Sequence, residues 1–142
     1  MQIDTLTVGD VMSPGPIALH ERDAISAADL EMRLAGVRHL PVLDAGNHVV
    51  GILSNRDLFR AFGGGKRSRP VHEIMTKGVV TVHEEMQAHE AAELMLERKI
   101  GALPVVGDDE QLVGIITETD FLQIATKALA GARGAPIETE DE

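Results

Sequence analysis

The apolar positions of this chain switch between two periods, and the order of the switching occurs twice. From Ile25 the apolar residues recur at helical spacing, at Ile25, Ala28, Met32 and Ala35, with a second stripe at Leu30, Leu34 and Val37. Asp23 is placed to cap this helix, and Gly36 to stop it. Around it lie short runs rich in branched residues that read as strands, over 16–19, 39–43 and 48–53. The last two are joined by the turn Asp44-Ala45-Gly46-Asn47, and a closing helix is predicted over 55–62. The same series follows further on: strands near 79–82, 102–106 and 111–116, a helix through Ala88, Ala91, Ala92 and Met95, and a last helix from 118 to about 130.

The two series are one sequence written twice. Leu40-Pro41-Val42-Leu43 answers to Leu103-Pro104-Val105-Val106, and Val50-Gly51-Ile52-Leu53-Ser54-Asn55-Arg56-Asp57 answers to Val113-Gly114-Ile115-Ile116-Thr117-Glu118-Thr119-Asp120. Both matches, and those of Val11-Met12-Ser13 with Ile74-Met75-Thr76 and His20-Glu21 with His83-Glu84, fall at an offset of 63 residues. Residues 7–62 thus align with 70–125 without a gap. The expected fold is α/β: two units, each a small three-stranded sheet with two helices. A unit this small buries too little surface to stand alone. The copies are therefore expected to pack sheet to sheet about a pseudo-two-fold axis, and the leftover helical faces to form a homodimer.

Composition narrows the function. With 23 acidic against 13 basic residues, a net charge of −10, no Trp or Tyr and only three Phe, nucleic-acid binding is not expected. The absence of cysteine excludes disulfides and thiolate chemistry. No apolar run nears the roughly 18 residues of a membrane span, and no leader pattern opens the chain, so a cytoplasmic protein without membrane contact is expected. Gly63-Gly64-Gly65-Lys66 suggests a phosphate loop, but Arg60 and Arg67 stand where that motif needs Gly and Ser or Thr. Residues 63–69 read instead as a flexible linker, and 131–142, rich in Gly, Pro and Glu, as a disordered tail that completes a terminal region of 126–142.

The repeated Met-Ser/Thr opening, the Leu-Pro-Val strand and Gly-Ile-x-Ser/Thr-x-x-Asp leading into a helix resemble the CBS domain, found in tandem as the Bateman module. The resemblance covers 7–125. It implies a regulatory module that is not an enzyme and that binds AMP, ADP, ATP or S-adenosylmethionine in clefts between the domains. It also implies ribose and phosphate contacts at Asp57 with Ser54 and at Asp120 with Thr117. Adenine would lie against Ile17 and Val80, and phosphates would meet Arg38, His39 and Arg56.

The residues themselves support two readings of that element. An aspartate suits vicinal hydroxyls, and exposed N–H groups at a helix start favour phosphate. Ser/Thr-x-x-Asp before an apolar helix is also close to a capping box, which needs no ligand. Two features favour the ligand: Asp reaches back less well than the usual Glu, and Gly51 and Gly114 leave space for an approaching molecule. Ile17 and Val80 read equally as core, and Arg38 equally as a solvated charge. The copies also differ, since Gly101, Ala102 and Thr119 stand where the first has Arg38, His39 and Arg56. Two unequal clefts are expected, of which only one binds tightly. His20 and His83 repeat beside Glu21 and Glu84, but strand-end polarity explains them more simply than a metal does. A ligand-sensing module acting on a separate effector chain is the leading expectation, with a dimeric scaffold carrying vestigial sites as the alternative.

Overall fold

The structure, a computed structural model, describes residues 5–15 and 17–133. In the first half, α1 (Val8–Val11), β1 (Ser13–Pro14), β2 (Leu19–His20), α2 (Ile25–Ala35), β3 (His39–Leu43), β4 (Val49–Ser54) and α3 (Asn55–Gly63) follow in order. In the second come β5 (Val82–His83), α4 (Ala88–Arg98), β6 (Ala102–Val106), β7 (Leu112–Thr117) and α5 (Glu118–Arg133). One sheet has the order β2-β3-β4 and the other β1-β7-β6-β5. In each, a two-residue parallel strand flanks an antiparallel pair.

The opening of each copy belongs to the other copy. Ser13 and Pro14 pair with Ile115 and Gly114 of β7, and the equivalent Thr76 bridges to Ile52 of β4. Val8 N–H donates to Met86 O at 2.8 Å and Val71 N–H to Asp23 O at 2.8 Å; Gly9 donates to Glu84 O and His72 to Glu21 O. Every one of these bonds has its partner at the 63-residue offset, which is the pseudo-two-fold axis expressed in hydrogen bonds. The exchange also completes the cores. Val71 is fully buried among Ile25, Met32, Leu53 and Leu58, while Val8 is fully buried among Met95, Leu103, Val105 and Ile116. The two sheets face one another, for Ile52 of β4 and Ala102 of β6 line a common pocket of about 190 Å³.

Several expectations are corrected. Asp23 does not cap α2. Its carboxylate accepts from His20 N–H at 2.9 Å, the N-cap is Ala24, and no side chain caps the helix. The orphan N–H groups of Ile25 and Ser26 donate instead to the carbonyls of Arg69 and Arg67, both at 2.9 Å. The 63–69 stretch is thereby tied to α2, and Arg67 also lies over the Phe62 ring at 4.2 Å. In α4 the Ala88 N–H donates to Leu6 O in the same way. The first strand of each copy is shorter than predicted. Ile17 precedes β2 and Val80 precedes β5, because the chain there is still crossing from the other unit's sheet to its own. Helix α5 runs to Arg133, so Gly131 is helical; the rest of the expected tail lies outside the described residues.

Gly36 does end α2, at φ +67°. Ile25, Ala28 and Met32 are buried, and the second stripe, Leu30, Leu34 and Val37, is exposed. Among the described residues no helix is long and apolar enough to cross a membrane.

Candidate functional site

The strand-to-helix junctions are built as capping boxes in both copies. Ser54 N–H donates to Asp57 Oδ2 at 2.9 Å, and Asp57 N–H donates back to Ser54 Oγ at 3.2 Å. Thr117 and Asp120 repeat this at 2.8 and 3.4 Å. The aspartate is therefore long enough to close the box, contrary to the argument from side-chain length. Each box engages Oδ2, and no bond to Oδ1 is found among the described residues, so the second oxygen can accept from a ligand.

Gly51 and Gly114 do not hold space open for a ligand. A Cβ on Gly51 would collide with the Met75 sulfur and lie 3.0 Å from Thr76 O; one on Gly114 would collide with the Met12 sulfur and lie 2.9 Å from Ser13 O. The missing side chain admits the methionine of the other copy's opening. The Met-Ser/Thr and Gly-Ile elements are thus the two halves of one packing contact.

Two clefts open between the copies. The first, of about 560 Å³, is lined by Ser54, Asn55 and Arg56 from the start of α3 and by Met95, Lys99 and Ile100 around the end of α4. The second, of about 450 Å³, is lined by Thr117, Glu118, Thr119 and Asp120 from the start of α5 and by Gly36 and Val37 after α2. The pseudo-two-fold axis exchanges them. Arg38, His39, Gly101 and Glu118 line both and form the ridge between them. A Cβ on Gly101 would lie 2.7 Å from Glu118 Oε1, so this glycine makes room for the carboxylate. His39 is held below its ordinary pKa first by burial, with Arg38 adding to the effect and Glu118 and Asp57 opposing it.

Most residues singled out in the sequence come together here, with some differences. Arg38 and His39 serve both clefts, so these two side chains of the first copy are not confined to one, whereas Arg56 lines the first alone. Asp57 lies off the first cleft, in a pocket of about 210 Å³ with Arg60 and Lys66, whereas Asp120 lines the second. Val80 joins Ile52 and Ile100 in the 190 Å³ pocket that shares Ile100 with the first cleft. Ile17 is 46% exposed and lines neither cleft. Lys99 and Glu118 were missed. Lys99 aligns with the helix-stopping Gly36, and a lysine where the fold calls for glycine was the available signal. His20 and His83 stay apart on β2 and β5, and no metal-binding group of three or more His, Asp or Glu occurs among the described residues.

Two exchanged α/β units with a pair of two-fold-related clefts define the class: a tandem repeat with clefts between its copies. The CBS domain profile matches residues 8–64 and 71–127, and the chain belongs to the CBS domain family. It is similar to the CBS domain pair of protein MJ0100, solved with 5′-methylthioadenosine and S-adenosyl-L-methionine, at a TM-score of 0.81 and 31% identity, covering 87% of this chain and 98% of that one. It is similar to CBSX2, solved in complex with AMP, at 0.74 and 28%, covering 87% and 98%. It is also 33% identical over 120 residues to inosine-5′-monophosphate dehydrogenase of Methanocaldococcus jannaschii, which is 84% of this chain but only 23% of that enzyme.

Proposed function

We propose that this protein is a regulatory module, without catalytic activity of its own, that binds an adenosyl ligand (AMP, ADP, ATP or S-adenosylmethionine) in the clefts between its two copies. The observation that carries this reading is the pair of clefts, each placing the start of one copy's last helix (Ser54 to Arg56 in the first, Thr117 to Asp120 in the second) opposite the end of the other copy's first long helix. Volumes of about 560 and 450 Å³ lie within the usual range for small-molecule sites. In this reading the free Oδ1 of Asp120 accepts from the ribose in the second cleft, and Ser54 or Thr117 with Arg38, His39 and Arg56 meets the phosphates. Val80 with Ile52 and Ile100 forms the apolar wall for one adenine, and Ile17, the repeat counterpart of Val80, belongs to the other.

The adenosyl ligands of MJ0100 and CBSX2 support the reading. The exposed Leu30, Leu34, Phe59, Leu96, Leu122 and Leu129 support a homodimer through the helices. With no Trp or Tyr in the chain, a co-purified nucleotide would dominate the ultraviolet spectrum of the protein. Calorimetric titration with AMP, ATP and S-adenosylmethionine tests the rest. Heats of dilution alone for all three, even at millimolar ligand, would refute the proposal and leave the scaffold reading.

A further inference from the structure

Charge separates the two clefts more sharply than shape does. The first carries three cationic side chains, Arg38, Arg56 and Lys99, against the single carboxylate of Glu118. The second carries Arg38 alone against the carboxylates of Glu118 and Asp120. The difference arises at positions the pseudo-two-fold axis should make equal: Arg56 stands opposite Thr119, and Lys99 opposite Gly36. Asp57, the counterpart of Asp120, lies off the first cleft among Arg60 and Lys66, so it does not redress the balance.

Lys99 is also unusual in its backbone. It ends α4 at φ +55°, in the left-handed region where a side chain is strained and where Gly36 ends α2 at +67°. Glycine would satisfy the backbone better. The lysine there adds a third cation to a cleft already lined by two arginines. His39 adds little charge to either cleft at neutral pH, because burial holds it towards the neutral form.

Building on the adenosyl reading above, we infer that the clefts sort ligands by charge: the first takes a nucleoside di- or triphosphate, and the second an adenosyl ligand without phosphates, such as a thioether or sulfonium adenosine. Triphosphate oxygens bring several negative charges to a ridge already holding Glu118, and only the first cleft has the cations to meet them. A sulfonium ligand is repelled by Arg56 and Lys99 and attracted by Asp120 with Glu118. Each charge-assisted contact changes affinity about tenfold or more.

Isoleucine methyl groups give each cleft its own reporter, Ile100 in the first and Ile115 in the second. The full chain, labelled at isoleucine methyls, is titrated separately with ATP and with S-adenosylmethionine and followed by NMR. ATP is expected to move the Ile100 signal at a concentration at least about tenfold below that which moves Ile115, and S-adenosylmethionine to reverse the order. The double substitution Arg56→Thr, Lys99→Gly gives the first cleft the residues of the second and should abolish the ATP preference while far-ultraviolet circular dichroism stays unchanged. Thr119→Arg in the otherwise native chain should draw ATP to Ile115. Binding of both ligands at equal midpoints in both clefts, or ATP at Ile115 first, overturns charge sorting and leaves the adenosyl reading standing. If neither ligand moves either methyl, charge sorting is overturned, and calorimetric silence towards AMP as well overturns the adenosyl reading with it.

Discussion

Replacing Gly51 by alanine tests the exchange on which the fold depends. The added Cβ would collide with the Met75 sulfur and lie 2.9 Å from Met75 Cγ and 3.0 Å from Thr76 O. The methionine is flexible and partly exposed, so it can move at a cost. The carbonyl has less freedom, because it accepts from Ile52 N–H at 3.0 Å while Thr76 N–H donates to Ile52 O at 2.9 Å. Overpacking of this kind costs about 1–3 kcal/mol, and losing the two bridging bonds instead costs about 1 kcal/mol each, so both routes of relaxation lead to the same range. For a chain of this size that lowers the melting temperature by about 3–10 °C. Far-ultraviolet circular dichroism in urea and on heating is the suitable probe, since the chain has no Trp or Tyr to follow. Met75→Ala introduced with Gly51→Ala should recover part of the loss, giving a coupling of about 1 kcal/mol between the two sites. A Gly51→Ala protein of unaltered stability but weakened adenosyl binding would refute the packing account and restore the glycine to a ligand role.

Other consequences follow from the same geometry. Ser54→Ala removes the acceptor for Asp57 N–H and should lower stability by about 0.5–2 kcal/mol even without ligand, measured by urea unfolding; no change would mean that the box is not stabilising α3. Lys99→Gly should raise stability by about 0.5–1 kcal/mol by relieving the left-handed backbone, and Gly36→Ala should lower it by a similar amount, both read from unfolding midpoints. His39 gives a pH dependence of known sign. Its folded pKa lies below the unfolded value of about 6.5, so the unfolded chain binds the proton more readily. Its contribution is complete above that value, declines as pH falls towards the folded pKa and is flat below it; His39→Gln should remove this part of the slope in unfolding experiments repeated across pH, and equal slopes would disprove the assignment.

The duplication, the α/β class and most element boundaries could be read from the sequence, because they rest on local periodicity and on glycines such as Gly36. What could not be read was which residues of one copy touch the other. Gly51 and Met75 both stood out, yet nothing local shows that one fills the space above the other, and so the vacancy was given to a ligand. Asp23 illustrates the same limit. Its residue type favours a cap, but the N–H groups of Ile25 and Ser26 are met by carbonyls more than 40 residues away, at Arg67 and Arg69. Arg38 and His39 were recognised as cations, but their place on a shared ridge follows from two-fold packing, which a single copy does not reveal.

The exchange of openings also explains why the clefts lie between copies and why they differ. Each sheet needs the other's opening to complete its pairing and its core, at Val71 and Val8, so the interface cannot change without unmaking both cores. Residues serving that exchange, such as Gly51 with Met75 and Gly114 with Met12, are matched across the repeat. Residues facing the clefts make no such demand on the core, and Arg56, Lys99 and Arg38 have the uncharged counterparts Thr119, Gly36 and Gly101. Symmetry is kept where the fold is made and lost where a ligand would be met. A vestigial scaffold gives no reason for three cations, Arg38, Arg56 and Lys99, to gather in one cleft. Two clefts meeting ligands of different charge do give one, with the ridge of Arg38, His39, Gly101 and Glu118 placing any change in one cleft directly against the other.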